Sequence, residues 1–191
     1  DENNKPTPWS FYQLGRIAFI KGDLHLALLY FKKELDYYPN HTKVYYMKGL
    51  TLGYMGRGKE GIEAFKFYTQ NTSDSWASFN DLAWLQFRAG DFSGALETIE
   101  PVAKAQPYNP WVANTYGVLL MNLGRLDEAK ESLSKGQETL SSMTEADWGM
   151  AYPGNNPRIY ENGLSQMKES LDSNQKLIEK KLKETPASSE Q

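Results

Sequence analysis

Residues 11–31 read Phe11-Tyr12-Gln13-Leu14-Gly15-Arg16-Ile17-Ala18-Phe19-Ile20, then Lys21-Gly22-Asp23-Leu24-His25-Leu26, then Ala27-Leu28-Leu29-Tyr30-Phe31. Apolar residues recur every three or four places on either side of Gly22, which is the spacing of an apolar stripe on each of two helices. Gly22 stands where the first helix must stop and the chain must take left-handed dihedrals that glycine adopts without steric cost. The stretch predicts helix, tight turn, helix.

The same reading recurs at a step of 34 residues. Gly15, Gly49, Ala83 and Gly117 form one series, and Gly22, Gly56, Gly90 and Gly124 a second. Ala27, Gly61, Ala95 and Ala129 form a third of small residues, and Phe31, Phe65, Ile99 and Leu133 a fourth of bulky ones. Four series in one register define a repeat of 20–50 residues, the signature of a stacked array rather than a single closed core. The small residues let two helix axes approach, and the bulky ones fill the space between hairpins. Asp23, Asp91 and Asp127 lie near the starts of second helices, where a carboxylate favours the positive end of the dipole. Pro39 and Pro107 end second helices.

Outside the repeats the sequence is equally informative. The 191 residues carry 21 Lys+Arg against 24 Asp+Glu, a net charge of −3, and 40% are hydrophobic. This balance gives no basic field for nucleic acid or an anionic membrane, and no apolar run is long enough to span a bilayer. There is no cysteine, which removes disulfides, thiolate metal sites and thiol nucleophiles, and leaves His25 and His41 as the only imidazoles. They are read as lying on different faces with no carboxylate cluster, so no metal, cofactor or catalytic site is expected. Residues 1–7 read as a polar linker. Domain organisation is expected as units at 8–41, 42–75, 76–109 and 110–141, a degenerate fifth unit with a capping helix at 142–184, and a disordered tail at 185–191. In the fifth unit Pro153-Gly154-Asn155-Asn156-Pro157 breaks the chain, and Asn156-Pro157 start a long helix. Localisation is left open between the cytoplasm and an extracytoplasmic site behind a leader or anchor.

The first unit, Phe11-x-x-Leu14-Gly15-x-x-Ala18, Ala27-x-x-x-Phe31, Pro39, resembles the tetratricopeptide repeat, W-x-x-L-G-x-x-Y, A-x-x-x-F, P. The family aromatic is absent at Ala18, Leu52, Gln86 and Leu120, and Ser73 and Ser141 replace two terminal prolines. The resemblance implies an all-α, right-handed superhelix of four helix-turn-helix hairpins, with the degenerate fifth and cap behind them. It implies a non-catalytic scaffold for protein–protein interaction, with an extended peptide or a helix of a partner held in a concave groove lined by the first helices. Assembly roles in a pilus, a secretion system or an envelope are suggested by resemblance alone.

The groove-facing positions are Trp9, Tyr12, Gln13 and Arg16; Lys43, Tyr46, Met47 and Leu50; Ala77, Asn80, Asp81, Trp84 and Arg88; and Trp111, Asn114, Thr115, Val118 and Asn122. Among them Trp9, Tyr12, Arg16, Tyr46, Met47, Asn80, Asp81, Trp84, Arg88, Trp111, Asn114 and Asn122 are the candidate binding residues. Aromatic and methionine side chains supply anchors, and Asn80 and Asn114 can pair with a ligand backbone through donor and acceptor together. The opposing reading for Tyr54, Trp84, Phe87 and Trp111 is burial between neighbouring units. The family's carboxylate clamp for chaperone C-termini needs a Lys/Asn/Arg pattern; Tyr12, Arg16, Met47, Ala77 and Asp81 do not supply it, nor does the frame one unit later. The ligand expected is an apolar or aromatic segment with one or two charges.

Three further patterns were weighed. Gly53-x-x-x-x-Gly58-Lys59-Glu60 nearly matches a phosphate-binding loop, but ends in Glu and follows a helix rather than a strand. Asn40-His41-Thr42 and Asn71-Thr72-Ser73 fit the glycosylation acceptor pattern. Leu164, Met167, Leu171 and Ile178 form a stripe on the last helix which, left uncovered, would make a self-association seam and a homo-oligomer.

Overall fold

The computed structural model describes residues 5–72, 76–151 and 160–184. These form ten helices and no strand: α1 (Ser10–Ile20), α2 (Leu24–Tyr37), α3 (Thr42–Tyr54), α4 (Gly58–Asn71), α5 (Trp76–Arg88), α6 (Phe92–Ala105), α7 (Pro110–Asn122), α8 (Leu126–Ser142), α9 (Glu145–Ala151) and α10 (Tyr160–Glu184). The first eight pair as α1–α2, α3–α4, α5–α6 and α7–α8, and each pair packs on the next. α9 is short, and α10 lies against α8 and α9. The chain is a tetratricopeptide-type solenoid with a fifth, incomplete hairpin at its end.

The turns obey one chemistry. Gly22, Gly56, Gly90 and Gly124 have φ of 81°, 75°, 82° and 77°. The residue after each donates its N–H back across the helix end: Asp23 to Ala18, Arg57 to Leu52, Asp91 to Gln86, Arg125 to Leu120, each at 2.9 Å. Carbonyls that a helix end would leave unpaired are thereby satisfied. The near-match to a phosphate loop is one of these turns, between two helices.

Second-helix starts alternate between two devices. In the first and third units Asp23 and Asp91 accept from the N–H groups of Leu26 and Gly94 at 3.0 and 2.9 Å. In the second and fourth, Arg57 and Arg125 hold Glu60 and Glu128 through paired bonds of 2.7 and 2.6 Å. Close approach within hairpins depends on the small-residue series: a Cβ at Gly15 would stand 2.5 Å from the Phe31 ring, and one at Gly117 2.7 Å from Leu133.

The core follows the array in three clusters. Phe31, Phe65, Ile99 and Leu133 are all fully buried, as are Ala27, Ala95 and Ala129. Two sequence expectations need correction. Leu14, a repeat apolar position, is 42% exposed, whereas its counterpart Leu82 is buried beside α4. Leu164, Leu171 and Ile178 are buried in one cluster with Leu133, Leu140 and Trp148, with Met167 packed against it, so the stripe is used internally and makes no seam. The Pro153–Pro157 break, Ile159, Asp1–Asn4 and the tail lie outside the described residues.

Candidate peptide-binding groove

The first helices α1, α3, α5 and α7 stand side by side, since each hairpin interposes one second helix, and their inner faces form a continuous surface. Residue by residue, that surface differs from its sequence portrait. Trp9, Arg16, Trp84, Arg88 and Asn122 are exposed, and Asp81 and Asn114 are half-buried. Tyr12, Tyr46, Met47, Asn80 and Trp111 are buried, contrary to their expected place on an open face. The reason is the spacing of neighbouring first helices. Tyr46 of α3 reaches α5, where its hydroxyl donates to Asp81 Oδ2 at 3.3 Å. Trp111 is packed between Trp76 and Trp148, with ring centroids at 5.5 and 4.4 Å.

What remains open to solvent is concentrated where the second and third units meet. Tyr54 is 57% exposed and Trp84 38%. Tyr54 rests edge-on against Phe19 at 5.7 Å, and Trp84 stacks on Phe87 at 5.4 Å. Both are thus held by aromatics of their own or the preceding first helix. Asp81 lies between them: burial first, and then its carboxylate, raises the Tyr46 phenol well above its ordinary value, and the same two causes raise Tyr54. Tyr54 was missing from the binding candidates. Its signal is positional, since it lies one helical turn beyond Leu50 on the same face.

The rims are cationic. Arg16 lies 5.9 Å from the Tyr12 ring centroid and bonds Gln13 at 3.4 Å, rather than pairing with Asp81. The Lys43 ammonium lies 5.4 Å over the Trp9 ring. The two asparagines expected to read a ligand backbone have separate fates. Asn114 Oδ1 already accepts from Asn174 Nδ2 of α10 at 3.1 Å. Asn80 Oδ1 is buried with no hydrogen-bond partner, an unmet acceptor under the Asp81–Trp84 turn. Asn122 donates to its own helix, at Val118 O.

Among the described residues His41 has a single carboxylate neighbour: its Nδ1 donates to Glu34 Oε1 at 3.0 Å, and Glu34 has no exposed surface. Glu34 also accepts from the backbone N–H groups of Trp9 at 2.8 Å and Tyr12 at 3.1 Å, so it caps α1 from the neighbouring helix. Trp9, at φ 78°, provides no side-chain cap of its own. Glu34 and His41 are 7 residues apart, and the turn after α2, closed by the His41 N–H donating to the Tyr38 carbonyl at 3.0 Å, brings them together. Their geometry is that of a helix cap, and among the described residues no group of three or more acids or histidines could hold a metal.

Comparison with known proteins agrees with this architecture. Family models described as tetratricopeptide repeat match residues 10–41 and 86–140. Among solved structures, MamA aligns with a TM-score of 0.63 at 19% identity over 93% of this chain and 94% of its own. YrrB, described as a TPR protein with an unusual peptide-binding site, aligns at 0.65 with 15% identity over 96% and 95%. The Cut9–Hcn1 assembly of the APC/C aligns at 0.64 with 15% identity over 88% of this chain and 32% of the other. At such identities the likeness is one of fold. No curated protein sequence matches the chain.

Proposed function

We propose that this chain, which belongs to the tetratricopeptide repeat family, is a non-catalytic scaffold that grips a partner protein by an apolar or aromatic segment laid in the groove, with its anchor at Tyr54 and Trp84. The observation that carries this reading is the pair of exposed aromatic rings, Tyr54 and Trp84, with the half-buried Asp81 one helical turn before Trp84 and close enough to raise the Tyr54 phenol. Each ring is braced from behind, so it loses little rotamer freedom on binding, and anchors of this kind supply most of the energy of small interfaces. Asp81 can accept a backbone or basic donor of the segment, and Arg16 and Arg88 at the rims suit acidic flanks. YrrB is a peptide-binding fold neighbour by its description, which is consistent with this use of the face.

The test is affinity capture from lysate of the native source with wild type and with Tyr54→Ala/Trp84→Ala. Both side chains are surface-exposed, so the helical melt should be unchanged. Proteins captured by wild type and lost in the variant identify the partner. Its segment, titrated against the Trp84 fluorescence, should bind about tenfold or more weaker to Asp81→Ala. If both variants capture the same proteins as wild type, the groove is not the site.

A further inference from the structure

The first unit carries on its outward side what the third carries in its interior. Phe11, Leu14 and Ile17 of α1 stand two 34-residue steps before Phe79, Leu82 and Leu85 of α5. Leu82 and Leu85 are 5% and 8% exposed because α4 lies over them. They share a core cluster with Phe65, and Ile62 and Tyr68 pack against it. The approach is close enough that a Cβ on Gly61 would meet Leu85 at 2.8 Å. Leu14 and Ile17, with the same chemistry in the same register, are 42% and 50% exposed. Leu26 and Tyr37 of α2 extend the patch, and Phe11 is stacked between Tyr30 and Tyr37 at its centre, with centroids at 6.2 and 6.1 Å. The described residues just before α1 are held elsewhere, where the Tyr38 hydroxyl donates to the Pro6 carbonyl at 2.5 Å.

A stacked array normally ends in polar faces, since an apolar end invites association. On α10 Leu171 and Ile178 turn inward and Ser165, Glu169, Asp172 and Lys176 face solvent, with Leu177 42% exposed among them. The outward face of α1 and α2 leaves more open: Leu14, Ile17, Leu26 and Tyr37.

We propose that the outward face of α1 and α2 is a docking site for one amphipathic helix of a partner protein, seated on Leu14 and Ile17 as α4 is seated on Leu82 and Leu85. The face continues, position for position, an interface this fold already makes, and that interface specifies its occupant. The partner helix carries a small residue over Ile17, in the role that Gly61 has over Leu85, and a bulky apolar side chain beside it in the role of Ile62. Lys33, whose ammonium lies 5.6 Å from the Phe11 ring, and the exposed Lys21 border the patch, so acidic residues flank the partner's stripe.

The test uses the full chain, isotope-labelled, and a synthetic peptide of residues 58–71 stiffened by a lactam between Lys59 and Glu63, both solvent-exposed in the array. A free 14-residue helix is marginal in water, hence the lactam. The peptide should perturb the amides of Leu14, Ile17 and Tyr30 saturably, and Leu14→Glu/Ile17→Glu should weaken it at least about tenfold while Trp84→Ala leaves it unchanged. A peptide carrying Ile62→Glu/Phe65→Glu should not bind. No perturbation of these amides up to about 1 mM peptide, or perturbation centred on the groove, overturns the proposal. So does a concentration-dependent dimer of the wild-type chain that Leu14→Glu dissolves, since the occupant is then a second copy.

Discussion

Glu34 occupies the position at which the later units carry Tyr68, Val102 and Gly136, and it is the only one of the four with a charge to bury. Its partners explain why the charge is tolerated: two N–H donors at the start of α1 and the His41 ring. Glu34→Ala strands those donors in a buried site, and a loss of about 2–4 kcal/mol in urea unfolding is expected. Glu34→Gln, which keeps one acceptor oxygen, should lose less. Tyr46 offers a second test. Its phenol is raised well above its ordinary value by burial and then by Asp81. With the folded value above the unfolded one, the group contributes stability that is whole below the unfolded value and is lost as pH rises through the folded value. Absorbance at the phenolate band should show Tyr46 ionising after the exposed tyrosines, and Tyr46→Phe should flatten the alkaline fall in stability. Neither residue's role was legible beforehand. Helical spacing assigns Tyr12, Tyr46 and Trp111 to an inner face, but how closely the next first helix approaches depends on side chains distant in sequence, and that distance decides between exposed and buried.

At the scale of elements the sequence was far more readable. The small and bulky series place α1 to α8 because each position is fixed twice, by its spacing within a helix and by the 34-residue step. Pro101 shows the strength of that double constraint. A proline inside a helix removes one hydrogen bond and ordinarily ends or bends it, yet α6 continues through Pro101 from Phe92 to Ala105. Pro101 is exposed, and its counterparts Lys33, Phe67 and Lys135 have ordinary backbone donors. Pro101→Ala should therefore stabilise the array by about 1–3 kcal/mol, read as a rise in Tm. The fifth hairpin was legible only in part. The stripe on α10 is plain in the sequence, and Trp148 of α9 keeps the 34-residue step from Asn114, but its stacking on Trp111 depends on how closely α9 approaches α7.

For the molecule as a whole, the C-terminal hairpin is the piece that closes the core. Leu171 is fully buried among Leu133, Leu140 and Trp148, and a Cβ on Gly136 would meet it at 3.1 Å. Leu171→Glu should thus release α10 from α8 and lower the melting temperature. Deleting residues 145–191 uncovers Leu140 and Trp111 together, and the shortened protein should bind a hydrophobic dye and precipitate at concentrations where the full chain stays clear. Retained solubility with an unchanged melt would show that the core ends at α8.

The unlike ends also give the array a direction under mechanical load. Each hairpin is held only by its neighbours, so a chain pulled from both termini yields hairpin by hairpin rather than all at once. The α1–α2 hairpin is joined to α3 by one cluster that includes Ala27, Phe31, Val44 and Met47, whereas the last repeat hairpin is clasped by a helix of 25 residues. Tension that peels the α1–α2 hairpin away therefore takes Phe19 with it, and Tyr54 loses the ring that braces it before the second hairpin gives way.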